Sequence, residues 1–122
     1  MKARNLVLIA IIVLSVSYMS YRLIRNLNID SKVNQELVEN SIILDVRTNW
    51  EYKRGALPNS VNIKMSDLKT IDIPIEKDKN IITYCSHGLR SIKAKYILKK
   101  RGYYHVYNGG SIHDLEKYFN NY

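Results

Sequence analysis

The chain has 122 residues, one cysteine and a formal net charge of +8. A single cysteine excludes an intrachain disulfide, so an apolar core must stabilise the fold. Four basic and no acidic side chains fall in residues 1–25, and the remaining 15 Lys/Arg against 11 Asp/Glu leave the rest of the chain at about +4. This mild basic bias suits small anions, and we expect no nucleic-acid partner.

Residues 1–25 predict a membrane segment at the N-terminus. A basic start precedes an uncharged stretch over residues 5–21, and a bilayer span needs roughly 17–25 residues of that kind. We predict an uncleaved, single-pass anchor in the membrane. Tyrosines at the interface and arginines that reach the headgroups would flank it, namely Tyr18, Tyr21, Arg22 and Arg25.

A cleaved signal peptide is the alternative, and it would leave a secreted or periplasmic domain. Its apolar core would be residues 6–14, and Ser15-Val16-Ser17 would be a small-x-small cleavage site. We favour the anchor because the segment has no Ala-x-Ala site and arginines follow it at once. Two basic residues flank each side of the stretch, which leaves the membrane orientation open.

After a polar linker over residues 26–33, residues 34–122 predict one small α/β domain. Apolar, β-branched runs predict strands at 41–47, 61–64, 80–85 and 103–110. Helical patterns separate these strands, at 34–40, 48–55, 66–71, 89–102 and 111–119. Strands joined through helices require crossovers, so we expect a mostly parallel sheet with helices on both faces.

Local signals predict how these helices begin and pack. Thr48 with Glu51 three residues later predicts a capping box, and Ser66 predicts the cap of the following helix. In the helix at 89–102, apolar residues recur at helical spacing and predict the face turned to the sheet: Leu89, Ile92, Tyr96 and Ile97.

The only cysteine, Cys85, ends a buried strand and precedes a helix, in the stretch "IITYCSHGLRS" over residues 81–91. A helix N-terminus offers unpaired N–H groups that bind an anion and stabilise a thiolate. Arg90 and His87 would add positive charge, and Gly88 would let the loop curl so that its N–H groups converge. A thiolate in such a loop can attack an electrophilic sulfur or phosphorus. The plainer interpretation is a buried structural thiol.

These motifs and their order resemble the single-domain rhodaneses, the thiosulfate and persulfide sulfurtransferases, over residues 34–120. The stretch "ILDVRTNWEYKRGALPNSVNI" (43–63) is similar to the family segment D-V-R-x-x-x-E-[FY]-x-x-G-H-I-P-G-A-x-N-[IL]. "YCSHGLRS" is similar to the active loop C-x-x-G-x-R-[SA], and "VYNGG" to the strand before the family's V-x-x-L-x-G-G turn. The chain departs from the family in three places, with Ala56 for His, Asn59-Ser60 for Gly-Ala, and His113 or Asp114 for Trp.

The resemblance implies a five-stranded parallel sheet flanked by helices, with Cys85 as the catalytic nucleophile that carries a persulfide. It also implies a substrate-binding loop, formed by Ser86, His87, Gly88, Leu89 and Arg90. The donor would be a small sulfur anion, thiosulfate or a persulfide, and the acceptor cyanide, a thiol or a protein cysteine. No organic cofactor is needed.

Three charged residues at and after the first buried strand predict structural support: Asp45, Arg47 and Glu51. We expect Arg47 to pair with Glu51 in this group. One cysteine and three scattered histidines offer no pair spaced for a metal site, so we expect no metal.

Two other functions stay open. A phosphatase or arsenate reductase would carry the related C-x-x-x-x-x-R loop, whereas Cys85 and Arg90 have four residues between them and enclose a smaller ring. The second is a catalytically silent rhodanese-like module that binds a membrane partner. Such modules usually lose the cysteine, which this chain keeps.

Overall fold

The computed structural model describes residues 2–120. Met1 of the predicted N-terminal segment and residues 121–122 of the predicted domain lie outside it. Within the described residues, four parallel strands form one sheet in the order β2-β1-β3-β4, namely β1 (Ile42–Asp45), β2 (Val61–Asn62), β3 (Ile81–Cys85) and β4 (Val106–Ser111). The helices are α1 (Ala3–Asn28), α2 (Gln35–Glu39), α3 (Asn49–Lys53), α4 (Leu89–Lys100) and α5 (Ile112–Glu116), with a 3₁₀ helix over Met65–Asp67.

The sheet is covered on both faces, which confirms the predicted α/β class. Every residue of β3 is buried, because this inner strand lies between β1 and β4. Side chains alternate along a strand, so Ile81 and Cys85 join a core cluster with Leu98 of α4. Ile82 and Tyr84 join the cluster on the opposite face. The cysteine therefore lies on the α4 side of the sheet.

The number of strands differs from the implied five. Among the described residues, the chain that enters the domain runs beside β4 but makes one backbone bond there, from Asp30 N–H to Asn108 O at 3.0 Å. The Asp30 carboxylate then accepts the Asn108 N–H at 2.6 Å, and the Asn108 side chain donates to Asn28 O at 2.8 Å. The side chains of Asp30 and Asn108 make hydrogen bonds where backbone groups would pair in a longer ladder. This segment therefore does not extend into a fifth strand.

The predicted inward face of α4 is confirmed at Ile97, is half-buried at Ile92 and is wrong at Leu89 and Tyr96. Leu89 is 46% exposed and Tyr96 is 57% exposed. The buried residues of this helix are Ser91, Ala94, Ile97 and Leu98. Small side chains at the first two of these positions let the helix backbone approach the sheet closely, and that contact outweighs the burial of the larger apolar residues.

The two helix caps have different outcomes. Thr48 and Glu51 form the predicted capping box at the start of α3. Ser66 is not a cap, because it lies inside the 3₁₀ helix, whose N-cap is Lys64. The cap therefore lies two residues earlier than predicted, and the Met65 N–H that follows it bonds to Val46 O at 3.0 Å.

The N-terminal helix α1 has 26 residues and no buried side chain. Its length and apolar composition are sufficient to cross a membrane, at about 39 Å for 1.5 Å per residue. A signal sequence near an N-terminus meets the same description. The helix continues to Asn28, so residues 26–28 of the predicted linker are helical.

Candidate active site

Cys85 is the last residue of β3, at the carboxyl end of the sheet. The residue is 1% exposed and packs in the same core cluster as Ala94 and Leu98 of α4. Binding sites of parallel α/β sheets form beyond the carboxyl ends of the strands. The cysteine therefore has the position of a site residue, although its side chain is buried in this structure.

Residues 86–88 form the loop that follows Cys85, and one of its backbone N–H groups makes a hydrogen bond to the sulfur. The Gly88 N–H donates to Cys85 Sγ at 3.0 Å. Gly88 has a φ of 90°, in the left-handed region, immediately before α4. A Cβ at this position would lie 2.9 Å from Arg25 Cγ. Both the backbone conformation and the lack of space require glycine here.

Arg90, in the first turn of α4, forms a two-pronged ion pair with Glu51 of α3. Its Nη1 and Nη2 atoms donate to the two Glu51 carboxylate oxygens at 2.7 and 2.8 Å. Ser86 Oγ donates to the same carboxylate at 2.8 Å. The capping box with Thr48 holds Glu51 at the start of α3. One carboxylate therefore connects α3 to both the Cys85 loop and α4.

This ion pair sets the charge of the groups beside the loop. The hydrogen bond from Arg90 holds the pKa of Glu51 well below its ordinary value of 4.5, with smaller effects from Ser86 and Thr48 and opposition from burial. The pKa of Arg90 is raised, chiefly by its hydrogen bond with Glu51 and to a smaller extent by the charges of Glu51 and Cys85. Glu51 is therefore an anion and Arg90 a cation across the physiological pH range.

The expected pair between Arg47 and Glu51 is wrong. Arg47 instead binds Asp45, with Nε to Oδ1 at 3.0 Å and Nη2 to Oδ2 at 2.7 Å, and it also donates to Gly55 O at 2.7 Å. These side chains are 8% and 0% exposed, and the Asp45 contact raises the pKa of Arg47. Arg47 precedes the N-cap Thr48, so it lies outside the helix and turns back towards β1.

Tyr84 supports the opposite face of the sheet, a role that was not predicted from the sequence. Its hydroxyl accepts the Leu57 N–H at 3.1 Å and donates to Ser60 Oγ at 3.2 Å. Burial raises the pKa of Tyr84 to about 12, so the phenol stays neutral. The sequence could have indicated this role, because it places a tyrosine within a buried strand and a buried hydroxyl needs hydrogen-bond partners.

Ser91 is a second residue whose role was missed. It is fully buried, and its Oγ lies 3.0 Å from Gly88 O and 3.2 Å from Gly110 O. Its own carbonyl accepts from Thr83 Oγ1 at 3.0 Å. The hydroxyl therefore ties the Cys85 loop to the glycine pair at the end of β4. The sequence could have indicated this role, because Ser91 is a small residue directly after the loop arginine.

The remaining predicted loop residues lie at the surface. His87 is exposed, and Leu89 is 46% exposed. Ser86, Gly88 and Arg90 therefore contact the sulfur or the Glu51 carboxylate, whereas His87 and Leu89 lie at the outer side of the loop.

Helix α1 contacts the same loop through its C-terminal part. Tyr21 Oη donates to His87 O at 2.8 Å. Arg25 pairs with Asp114 Oδ1 at 3.3 Å, and its side chain is 23% exposed. The guanidinium of Arg25, which was predicted to reach lipid headgroups, turns towards the domain in this structure. Its partner Asp114 is one of the two residues, with His113, that stand where rhodaneses usually have Trp.

The fold and loop define a class of α/β domain in which a cysteine ends an inner parallel strand and a helix begins directly beyond it. A model of the rhodanese-like domain matches residues 29–111. The chain belongs to the rhodanese-like domain family. The match starts within the segment predicted as a linker.

Curated relatives are longer proteins. The chain is 35% identical over 98 residues to the tRNA uridine(34) hydroxylase of Buchnera aphidicola subsp. Schizaphis graminum, a match over 70% of this chain and 31% of that protein. It is 28% identical over 91 residues to the tRNA sulfurtransferase of Thermoplasma acidophilum, over 75% of this chain and 18% of the relative. The chain thus spans less than a third of the length of the relatives it matches here.

A solved structure similar to this chain has nearly the size of the domain. It is described as a rhodanese with anions from E. coli and is 31% identical, with a TM-score of 0.55. The match covers 61% of this chain and 89% of the E. coli chain. The similarity therefore extends over almost all of a single-domain rhodanese.

Proposed function

We propose that this protein is a rhodanese-type sulfurtransferase with Cys85 as its nucleophile and residues 86–90 as its substrate loop. The observation that carries this proposal is the Gly88 N–H, which donates to Cys85 Sγ at 3.0 Å. The thiolate is the reactive form of a cysteine, and the Gly88 N–H is placed to hydrogen-bond to the attacking sulfur. The N-terminus of α4 adds a favourable field at the same point.

The first step transfers one sulfur atom to the protein. The Cys85 thiolate attacks the outer sulfur of thiosulfate, a new S–S bond forms, and the bond from that sulfur to the sulfonate sulfur breaks. Sulfite leaves with the electron pair, and Cys85 becomes a persulfide anion. A persulfide donor reacts in the same way and releases a thiolate. The Gly88 N–H contacts the Cys85 sulfur and would donate to the persulfide at that atom.

The second step regenerates the Cys85 thiolate. Cyanide, a thiolate or a protein cysteine attacks the terminal sulfur of the Cys85 persulfide, and the S–S bond breaks towards Cys85. The products are thiocyanate or a new persulfide and the original thiolate. Because donor and acceptor react in turn with one sulfur, the kinetics are ping-pong.

Arg90 binds the donor anion in this proposal while it stays paired with Glu51. A guanidinium has five N–H donors, and the ion pair uses one from each terminal nitrogen. Arg90 Nη2 also lies 3.4 Å from Ser86 Oγ. The side chain is 35% exposed, and we assign the sulfonate to its remaining N–H donors. Glu51 orients the guanidinium, and Asp45 with Arg47 supports the end of β1.

Similarity to a protein named tRNA sulfurtransferase supports sulfur chemistry at this site. The match covers 18% of that relative, so it supports the chemistry of the domain and not an RNA substrate. A small anionic donor and a thiol or protein acceptor suit a loop of this size better than a polynucleotide does.

We also propose that residues 1–25 anchor the enzyme in a membrane and that 34–122 form the catalytic domain. The segment 26–33 that joins them is helical up to Asn28 and hydrogen-bonds to β4 through Asn28 and Asp30. The support is a continuous apolar helix over Ala3–Asn28 with no buried residue. An unburied helix of this composition needs a non-aqueous environment. A secreted or periplasmic domain after signal cleavage is the competing outcome.

The test compares two reactions of the full-length, detergent-solubilised protein. Thiosulfate:cyanide and persulfide transfer are measured beside hydrolysis of an aryl phosphate, for the wild type and Cys85→Ser. We expect sulfur transfer by the wild type alone and negligible phosphatase activity, because a loop with four residues between cysteine and arginine encloses a small cup. Faster phosphate hydrolysis than sulfur transfer would assign the phosphatase class. No turnover of either kind would favour the silent module.

A further inference from the structure

Two hydrogen bonds converge on one peptide unit of the Cys85 loop. The carbonyl of His87 and the N–H of Gly88 belong to the same peptide bond. Tyr21 Oη of α1 donates to that carbonyl at 2.8 Å, and the N–H donates to Cys85 Sγ at 3.0 Å. No cis peptide occurs among the described residues, and in a trans peptide the C=O and N–H point in opposite directions. A donor on the carbonyl therefore holds the N–H towards the sulfur.

The side chain of Arg25 packs against the same peptide unit. A Cβ on Gly88 would lie 2.9 Å from Arg25 Cγ and 3.1 Å from Arg25 Cδ, so the arginine stem packs directly against the glycine. The pair with Asp114 at 3.3 Å holds the guanidinium end. On the other side of Gly88, the Ser91 hydroxyl lies 3.0 Å from the Gly88 carbonyl. The loop therefore has one support from α1 and another from α4.

From these contacts we propose that α1 is a component of the active site and that Tyr21 is a positioning residue for Cys85. Tyr21 fixes the orientation of the His87–Gly88 peptide unit and polarises it, because a hydrogen bond accepted by a carbonyl strengthens the one donated by its N–H. Arg25 keeps the unit from turning outwards. The expected effect of Tyr21 on turnover rests on the proposed sulfur chemistry. Its expected effect on the reactivity of the Cys85 thiol does not, because alkylation requires no sulfur donor.

The helix offers matched controls three residues away. Tyr18 is 58% exposed, and Arg22 is also exposed. Tyr18→Phe makes the same chemical change as Tyr21→Phe on the same helix, and Arg22→Ala matches Arg25→Ala. Each pair leaves the length and apolar character of α1 comparable.

The experiment measures alkylation of the single cysteine by iodoacetamide at pH 7 in the full-length protein, by intact mass, together with sulfur transfer. We expect Tyr21→Phe to slow alkylation by about two- to tenfold, the size of one neutral hydrogen bond, and to lower kcat with KM unchanged. Arg25→Ala should act in the same direction. The two control variants should match the wild type.

Equal alkylation rates for Tyr21→Phe and Tyr18→Phe would overturn the proposal. A wild type that alkylates but transfers no sulfur would instead refute the proposed function. The alkylation comparison would still decide whether α1 positions Cys85.

Discussion

Glu51 and Arg90 form a two-pronged ion pair beside the Cys85 loop, with N–O distances of 2.7 and 2.8 Å. The two residues are 39 positions apart in sequence, so the pair joins α3 to α4. It also fixes the plane of the guanidinium relative to the loop. Two predictions depend on this contact.

The first prediction concerns the charge of Glu51. The hydrogen bond from Arg90 lowers the pKa of Glu51 below its ordinary 4.5, so the unfolded state takes up a proton before the folded state does. The stability from this carboxylate is present above about pH 5 and is lost as the pH falls towards the folded-state pKa. Glu51→Gln should therefore lower Tm at pH 7 and flatten the decline of Tm between pH 5 and 3. Thermal unfolding at several pH values checks this.

Glu76→Gln is the matched control, because the Glu76 side chain is 76% exposed in a surface pair with Lys79. Exposed pairs contribute little to stability. Its Tm should follow the wild type at every pH, and a Glu51 variant that does the same would contradict the prediction.

The second prediction concerns the shape of Arg90. Arg90→Lys keeps the positive charge but cannot donate through two parallel N–H groups to Glu51 and still reach a sulfonate. We expect kcat/KM for thiosulfate to fall by about tenfold or more, the scale of one lost charged hydrogen bond. Arg54→Lys is the control, since Arg54 is exposed and stacks on Trp50 at 4.6 Å. A lysine variant with wild-type kinetics would mean that the two-pronged geometry is not used.

The third prediction separates fold support from chemistry. Tyr84→Phe leaves the buried Leu57 N–H without the acceptor that it has at 3.1 Å. The free energy of unfolding should fall by about 1–3 kcal/mol, as measured by urea denaturation, with sulfur transfer nearly unchanged. Tyr96→Phe should have no effect, because Tyr96 is 57% exposed. Equal stability of the two variants would show that the Tyr84 hydroxyl carries no net stabilisation.

The fourth prediction concerns α1. If residues 5–21 span a membrane, the protein should remain in the membrane fraction after alkaline carbonate washing, with an N-terminus at Met1 or Lys2. A soluble product that begins near Tyr18 would establish signal cleavage instead. Tyr21 and Arg25 would remain in that product, so the contacts with the Cys85 loop do not depend on which outcome is found.

Local and periodic features of the fold could be predicted from the sequence. The buried run before Cys85 and the helical pattern after it predicted where β3 ends and α4 begins, because short-range periodicity reflects the two environments directly. The Thr48 and Glu51 spacing predicted the capping box for the same reason, since both partners lie within one helical turn.

Features that depend on distant segments could not be predicted in this way. Arg47 and Glu51 have the spacing of a helical ion pair, but Arg47 lies before the helix and finds Asp45 instead. Glu51 then pairs with Arg90 of another helix. The buried face of α4 combines the small residues Ser91 and Ala94 with Ile97 and Leu98, a combination that the apolar spacing alone did not predict.

The contact of α1 with the active loop carried no sequence signal at all. Tyr21 and Arg25 have the spacing and chemistry of interfacial membrane residues, and that interpretation accounted for them completely. Only the juxtaposition of α1 with His87 and Asp114 in three dimensions reveals their second set of partners.

The most direct test of the account is the intact mass of the protein after treatment with thiosulfate and removal of excess reagent. Because Cys85 is the only cysteine, the wild type should gain the mass of one sulfur atom, and cyanide should remove it with release of thiocyanate. Cys85→Ser, a nearly isosteric change that should leave the domain folded, should gain nothing. An unmodified wild type, or a serine variant that still transfers sulfur, would contradict the assignment of Cys85 as the sulfur carrier.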